Sequence, residues 1–426
     1  MNGLIHYLWK SGLLKGKELT TTDYSCLRIV DTGKSNNTGT LFKEAKVKIG
    51  EQTWCGDVML HHDNPKETKA AADNNSVILH VMTDSSTKAP QSIDNGASVV
   101  INCPQELLHE FQNAEQHAAT FPCAKAIATL PEIQYHGILS RLLTERIGEK
   151  MKIIERIFAQ CDQRWDDTLL KVAIRSFGFG IQSSVFEEWA TLLNPQALGK
   201  HRDNPVQVEA ILFGQAGLLD EESIPSYYKD EALRSTYYNE LKREYRFLSN
   251  KFGLESIDNK KWNCGNSTPH LRIARIASLY SLGHLTMSGI TAVNTLTDAY
   301  KLFSHPLSGY WHNHTCFGGT ETIGNSGMRQ KQVDVIIINT VAPMLYAYGK
   351  HRKEEKLCSM AEDLLHQIAP EENSIIKRWR EQGVKAGCAA DTQALLQLER
   401  SYCRVRNCTE CPFAYHYIKG KIEEIL

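Results

Sequence analysis

The chain has 426 residues, enough to bury more than one hydrophobic core, so two or more domains are expected. Hydrophobic residues make up 42% and charged residues 23%, as in an ordinary soluble globular protein, and the formal net charge of -1 excludes a globally basic nucleic-acid binder. Twelve cysteines without a secretory leader favour a reducing cytoplasm, and no apolar run reaches the length of a membrane span.

The first hundred residues carry strand patterns. A short strand is predicted from Leu27 to Gly33, and alternating residues on both sides of Gly50 and Glu51 predict a β-hairpin with a bulge at Cys55-Gly56. The nearly continuous apolar run from Ser76 to Met82 is typical of a strand buried on both faces. The segment ASVV predicts one more short strand.

From about Pro104 the apolar residues follow helical spacing. The segment VDVIIINTVAPMLYAYG is apolar nearly all round and predicts a central buried helix, in which Pro343 would introduce a kink or begin a new helix. The predicted fold class is therefore α+β. A small mixed α/β domain (residues 1–103) would precede a large helical domain (residues 104–426) that ends in a cysteine cluster.

Three cysteines near the C-terminus have the spacing C-x(4)-C-x(2)-C, namely Cys403, Cys408 and Cys411. Thiolates this close can face one ion, so we predict a metal site that holds zinc or a [4Fe–4S] cluster. The fourth ligand would be His416 or, alternatively, Cys388. Four protein ligands would leave no open position for a substrate, which favours a structural role. The alternative is that these are free thiols that pack the last helix.

Other histidines and acids are weaker candidates. On an extended segment the alternating residues His312, His314 and Cys316 would all face one side and could bind a metal, or they could belong to an ordinary hydrogen-bonded loop. In the buried strand, His80 is expected to make a satisfied core hydrogen bond.

Two-metal phosphodiester hydrolysis needs converging carboxylates, and the acids next to the hairpin are candidates for them. Asp57 and His61 would share one face of a strand, whereas Asp63 would begin the following loop, so convergence is weak. The sequence has no phosphate-binding loop, no dinucleotide-binding glycine pattern and no G-x-S-x-G elbow.

Several segments together resemble the uncharacterised bacterial family known as domain of unknown function 2851, over essentially the whole length. They include LIHYLWKSGLL, VKIGEQTWCGDVMLH, SFGFGIQSSVFEEWATLL, VEAILFGQAGLL, HLRIARIASL, IIINTVAPMLYAYG and ALLQLERSYC. The resemblance implies membership of a family and no assigned activity. It also implies that Cys403, Cys408 and Cys411 occupy the family's cysteine positions.

The order of elements in the family's N-terminal part looks like a PD-(D/E)xK nuclease core, in which an Asp and a Glu bind Mg²⁺. In this chain Leu41 stands where the resemblance implies the Asp, and Met59 stands where it implies the Glu; only His61 matches. A site without these hard oxygen ligands is not expected to hold Mg²⁺.

Two functional hypotheses follow from the sequence. The first is a non-catalytic protein that binds nucleic acid or a protein partner, built on a degenerate nuclease-like domain and a metal-stabilised helical domain. The second is an enzyme whose site lies elsewhere, at an iron–sulfur cluster or around His312 and His314, or one that remains an active metal-dependent nuclease.

Overall fold

The computed structural model describes residues 6, 8–35, 41–61, 76–82, 97–100, 123–178, 182–262, 269–307, 309–319, 327–405 and 407–425. The predicted α+β class is confirmed, because a mixed sheet precedes a mostly helical region. The chain divides into two compact units, each built from several segments. The first comprises Met1–Leu142, Glu372–Lys385 and Ala394–Leu426, and the second comprises Leu143–Glu371 and Ala386–Gln393. The predicted boundary between residues 103 and 104 lies outside the described residues and stays a prediction.

The sheet belongs to the first unit and has the order β1-β2-β4-β5-β6-β7, with β3 paired to β4. Its strands are β1 (Leu19–Thr20), β2 (Cys26–Asp31), β3 (Lys34–Ser35), β4 (Leu41–Ile49), β5 (Gln52–Leu60), β6 (Val77–Met82) and β7 (Ala97–Val100). The pairs among β1 to β5 are antiparallel, whereas β5, β6 and β7 run parallel.

The predicted hairpin is confirmed as β4 and β5, joined at Gly50 and Glu51. The predicted bulge at Cys55-Gly56 is wrong, because both residues pair in regular register with β4. The register shifts instead between Phe42 and Ala45 of the opposing strand, where Glu44 has a positive φ of 59°. An extra residue in one strand produces such a shift, and it bends the strand locally.

The run from Ser76 to Met82 forms the inner parallel strand β6, as its apolar character predicts. Parallel strands have both faces covered, so they do not need a polar face. Leu79 and Val81 are fully buried. At the start of the chain the buried Trp9 donates a hydrogen bond from Nε1 to the carbonyl of Thr32 at 3.0 Å, which ties the first helical turn to the sheet.

The helices follow the apolar periodicity of the rest of the chain. They are α1 (Ala124–Ala128), α2 (Glu132–Gln160), α3 (Trp165–Phe177), α4 (Ser183–Leu192), α5 (Pro195–Lys200), α6 (Pro205–Gln215), α7 (Ser226–Arg234), α8 (Thr236–Phe252), α9 (His270–Ser281), α10 (Met287–Thr291), α11 (Leu296–Phe303), α12 (Tyr310–Asn313), α13 (Gln330–Ile336), α14 (Ala342–Arg352), α15 (Glu355–Gln367), α16 (Ser374–Glu381), α17 (Ala389–Leu398) and α18 (Ala414–Ile425).

Two π-helical turns interrupt this helical pattern, at Ile337–Val341 and at Glu399–Cys403. The first leads into α14, which begins at Ala342 and has Pro343 in its first turn. Of the two outcomes predicted for Pro343, a kink or the start of a new helix, the structure shows the second. The ammonium group of Lys150 donates to the carbonyl of Ile338 at 3.0 Å within this π-helical turn. Among the helices that the structure describes, none has the length and apolar character needed to cross a membrane.

Candidate functional site

The three C-terminal cysteines lie on a compact succession of short turns in the first unit. Cys403 ends the π-helical turn, Cys408 begins a 3-10 helix (Cys408–Glu410), and Cys411 follows it directly. The backbone N–H of Cys411 donates to the carbonyl of Cys408 at 3.2 Å, so the C-x(2)-C pair spans one tight turn. π-helical turns are rare and recur at functional sites, and here one sets the position of the first cysteine.

A fourth cysteine, Cys123, joins these three from far away in the chain. It is the residue that precedes α1, and α1 packs against α18, the helix that begins three residues after Cys411. Negative charge on Cys411 and on Cys408 raises the pKa of the Cys123 thiol. Negative charge on Cys123, Cys411 and Cys408 likewise raises the pKa of the Cys403 thiol. These residues therefore form one group, here called the four-thiol cluster: Cys123, Cys403, Cys408 and Cys411.

The environment of the four-thiol cluster disfavours negative charge. Burial raises the pKa of Cys123 and Cys403, and the charges of the neighbouring thiols raise both further. Burial also raises the pKa of Cys411 to about 11, although hydrogen bonds from the backbone N–H groups of Phe413 and Ala414 oppose that shift. A bound cation would reverse this preference, because a metal-coordinated thiol loses its proton.

The two predicted fourth ligands have other surroundings. His416 lies on α18, where its ring contacts that of Tyr415 edge-on, and burial together with the charge of Lys419 lowers its pKa. Cys388 belongs to the second unit, where its sulfur lies 3.7 Å from Nδ1 of His366. The groups whose charge raises the pKa of Cys123 are Cys411 and Cys408, and they include neither His416 nor Cys388.

The donor set of the four-thiol cluster fits a thiophilic metal, since four cysteine sulfurs are the usual ligands of structural zinc and of [4Fe–4S] clusters. Across the part of the chain that the structure describes, no three His, Cys, Asp or Glu side chains are arranged as a ready-made metal site. The four-thiol cluster is therefore a group of neighbouring thiols and not a preformed coordination site. None of the ten cysteines in the described ranges forms a disulfide.

Sequence reasoning missed Cys123 because nothing in its local pattern resembles a ligand motif. It stands alone before a short helix, and 279 residues separate it from Cys403 in the printed sequence. Only the three-dimensional packing of α1 against α18 relates the two segments.

The segment with His312, His314 and Cys316 does not adopt the extended form in which all three side chains would share a side. Tyr310–Asn313 is a short helix, α12, so the assumed alternation is wrong. The ring of His314 stacks on that of Tyr310 at 3.9 Å, and its Nδ1 lies 3.0 Å from the Tyr310 carbonyl oxygen. Cys316 is buried, whereas His312 is exposed. These contacts belong to ordinary packing.

The helical unit holds a half-buried carboxylate that the sequence pattern did not single out. Tyr237 of α8 donates a hydrogen bond from its hydroxyl to Oε2 of Glu209 at 2.5 Å, and Trp311 of α12 donates from Nε1 to the same hydroxyl at 2.7 Å. Burial raises the pKa of Glu209 to about 7, against the opposing effect of the Tyr237 hydrogen bond. A carboxyl group that titrates near neutral pH can take up and release a proton under physiological conditions.

In the sheet, the two positions at which the family resemblance implies carboxylates face each other across neighbouring strands. Leu41 of β4 pairs with Met59 of β5, Met59 pairs with His80 of β6, and His80 pairs with Ser98 of β7. Side chains paired directly across strands lie about 5 Å apart. An Asp and a Glu at these positions could therefore share one metal ion, whereas the leucine and methionine present here offer no oxygen ligand.

His80, one of these cross-strand partners, also contacts His61. Nε2 of His61 lies 2.7 Å from Nδ1 of His80, as expected for the predicted hydrogen bond of His80. The carboxylate of Asp57 accepts hydrogen bonds from the Ser76 hydroxyl at 3.0 Å and from the Glu44 backbone N–H at 3.4 Å. Its oxygens are thus engaged with the neighbouring backbone and a serine. Asp63 lies outside the described residues.

Comparison with known proteins places the chain in a family. The family model described as "Protein of unknown function (DUF2851)" matches residues 2–374, and the chain belongs to this family. Comparisons with curated proteins and with solved structures gave no match. The C-terminal cysteines lie beyond residue 374, so their correspondence to positions in the family stays a prediction.

Proposed function

We propose that this protein is a non-catalytic binding protein, with nucleic acid or another protein as its partner, and that its four-thiol cluster holds a structural metal. The single observation that carries the first part is the cross-strand pair of Leu41 and Met59. By analogy with the PD-(D/E)xK fold, this pair occupies the position where a nuclease would need two carboxylates.

The mixed sheet is the element that supports this analogy. An antiparallel hairpin, β4 and β5, is followed by parallel strands, and the Leu41–Met59 pair lies where hairpin and parallel region meet. Leu41 is buried among apolar residues of the sheet. Replacement of both ligands by apolar side chains removes the affinity for Mg²⁺.

The metal part of the proposal rests on the four-thiol cluster. Zinc bound by Cys123, Cys403, Cys408 and Cys411, or a [4Fe–4S] cluster on the same residues, would be fully ligated by protein. Such a centre would link the segment before α1 to the C-terminal turns and so stabilise the first unit. An enzyme that uses an open iron of the cluster is the second hypothesis, and a fourth protein thiol weighs against it.

We expect no cleavage of single- or double-stranded DNA or RNA by the purified protein with Mg²⁺ or Mn²⁺. The reason is that no carboxylate pair is available at the Leu41–Met59 position. The measurement is gel analysis of labelled substrates over a range of metal concentrations. Cleavage that disappears in His61→Ala and persists in the matched variant His312→Ala would contradict the proposal.

A further inference from the structure

A half-open cavity of about 180 Å³ lies in the helical unit between α2, α3 and α4. Its polar lining comes from Arg156 and Gln160 of α2, Lys171 and Arg175 of α3, and Glu187 and Thr191 of α4. A cavity above 150 Å³ is large enough for a small organic molecule. The cavity belongs to the second unit, whereas the four-thiol cluster and the sheet belong to the first.

The charges around this cavity do not balance. Arg175 forms an ion pair with Glu187 at 2.8 Å, whereas Lys171 donates to the backbone carbonyl of Thr191 at 3.3 Å. Within the described residues Arg156 takes part in no hydrogen bond or ion pair. Asp167, one turn before Lys171 on α3, is bound to Arg164 at 2.7 Å. The Asp167 carboxylate also acts electrostatically on Lys171. Among the lining residues, three cations share one carboxylate, so the lining itself carries an excess of two positive charges.

The excess charge lies on arginine and lysine side chains, which are the groups that proteins use to bind oxyanions such as phosphate. The guanidinium group of arginine presents several N–H donors in a fork that matches phosphate oxygens, and lysine adds a compact charge. Near neutral pH a phosphate monoester carries about two negative charges, which equals the excess in the cavity. Gln160 and Thr191 add polar groups to the lining.

We infer that this cavity binds the dianionic phosphate group of a small molecule, held by Arg156, Lys171 and Arg175. The volume accommodates one phosphate group with a small substituent and is too small for a stretch of nucleic-acid backbone. The inference is independent of the proposed function, because the cavity involves neither the Leu41–Met59 pair nor the four-thiol cluster.

The test is a titration of the full chain with inorganic phosphate, followed by NMR chemical shifts or calorimetry at low, constant ionic strength. Arg156→Gln is the informative variant, because its side chain has no partner in the fold to lose. The matched control is Arg246→Gln, an exposed arginine on α8. We expect Arg156→Gln to weaken phosphate binding at least fivefold and Arg246→Gln to leave it unchanged. Binding should also weaken as the pH falls, because the phosphate ion takes up a proton and loses its second negative charge.

Equal affinity of the two variants for phosphate would overturn the assignment, and so would an equal response to chloride at the same ionic strength. A third arm uses a single-stranded oligonucleotide. If it binds more tightly than phosphate and loses affinity in Arg156→Gln, the cavity is part of a nucleic-acid track, and the small-molecule assignment is wrong.

Discussion

Cys123→Ala is expected to abolish metal binding as completely as Cys408→Ala does, while His416→Ala and Cys388→Ala retain the metal of the unaltered protein. The reason is that the charges of Cys408 and Cys411 act on the buried thiols of both Cys123 and Cys403, so the four residues are neighbours. His416 and Cys388 have other neighbours. The measurement is metal content per chain for all four variants, purified without oxygen.

The same variants should differ in stability. A structural metal contributes directly to the free energy of unfolding, so its loss is expected to cost several kcal/mol in the first unit. Cys123→Ala and Cys408→Ala should therefore unfold at lower denaturant concentration than the unaltered protein, and they should no longer respond to a chelator. His416→Ala is the matched control on the same segment. Full metal content in Cys123→Ala, with loss in His416→Ala, would show that the histidine is the fourth ligand.

Glu209→Gln is expected to change how the stability of the protein depends on pH. Burial raises the folded-state pKa of Glu209 from 4.5 to about 7, so between these values the folded chain holds a proton that the unfolded chain releases. The free energy of unfolding contributed by this group therefore falls as the pH rises from about 4.5 to about 7. Glutamine keeps an oxygen that can accept the Tyr237 hydrogen bond, and it has no charge to bury.

At pH 8 the free energy of unfolding of the variant should exceed that of the unaltered protein by about 1–2 kcal/mol. This value is below the free energy that corresponds to the whole pKa shift, because the side chain is partly exposed and solvent screens its charge. The two proteins should converge near pH 5. The measurement is urea-induced unfolding at several pH values from 5 to 8, with the exposed Glu240→Gln on α8 as the matched control. A difference between Glu209→Gln and the unaltered protein that is the same at every pH would contradict this prediction.

Local patterns were sufficient to predict the elements that local interactions determine. Alternation around Gly50 and Glu51 predicted the β4–β5 hairpin, and the run that became β6 was apolar enough to require cover on both faces. The bulge was placed in the wrong strand. Its position depends on register between strands, and a glycine next to a cysteine does not determine that register.

The site could be predicted only in part, for a related reason. The spacing of Cys403, Cys408 and Cys411 is local and visible, whereas Cys123 is brought near by the packing of α1 on α18. Likewise, Glu209 lies within the apolar stretch of α6, and only the structure places it against Tyr237 and Trp311. The proximity of Cys123 to the other cysteines and the contacts of Glu209 both depend on long-range packing. A single sequence does not show which distant segments pack together.

The measurement that tests the four-thiol centre most directly is X-ray absorption spectroscopy at the edge of whichever metal the protein contains after anaerobic purification. We predict about one zinc ion or one [4Fe–4S] cluster per chain, with sulfur as the only protein ligand and, for zinc, four sulfurs at about 2.3 Å. Three sulfurs and one nitrogen would contradict the assignment of Cys123, and a protein without stoichiometric metal would contradict the metal centre itself.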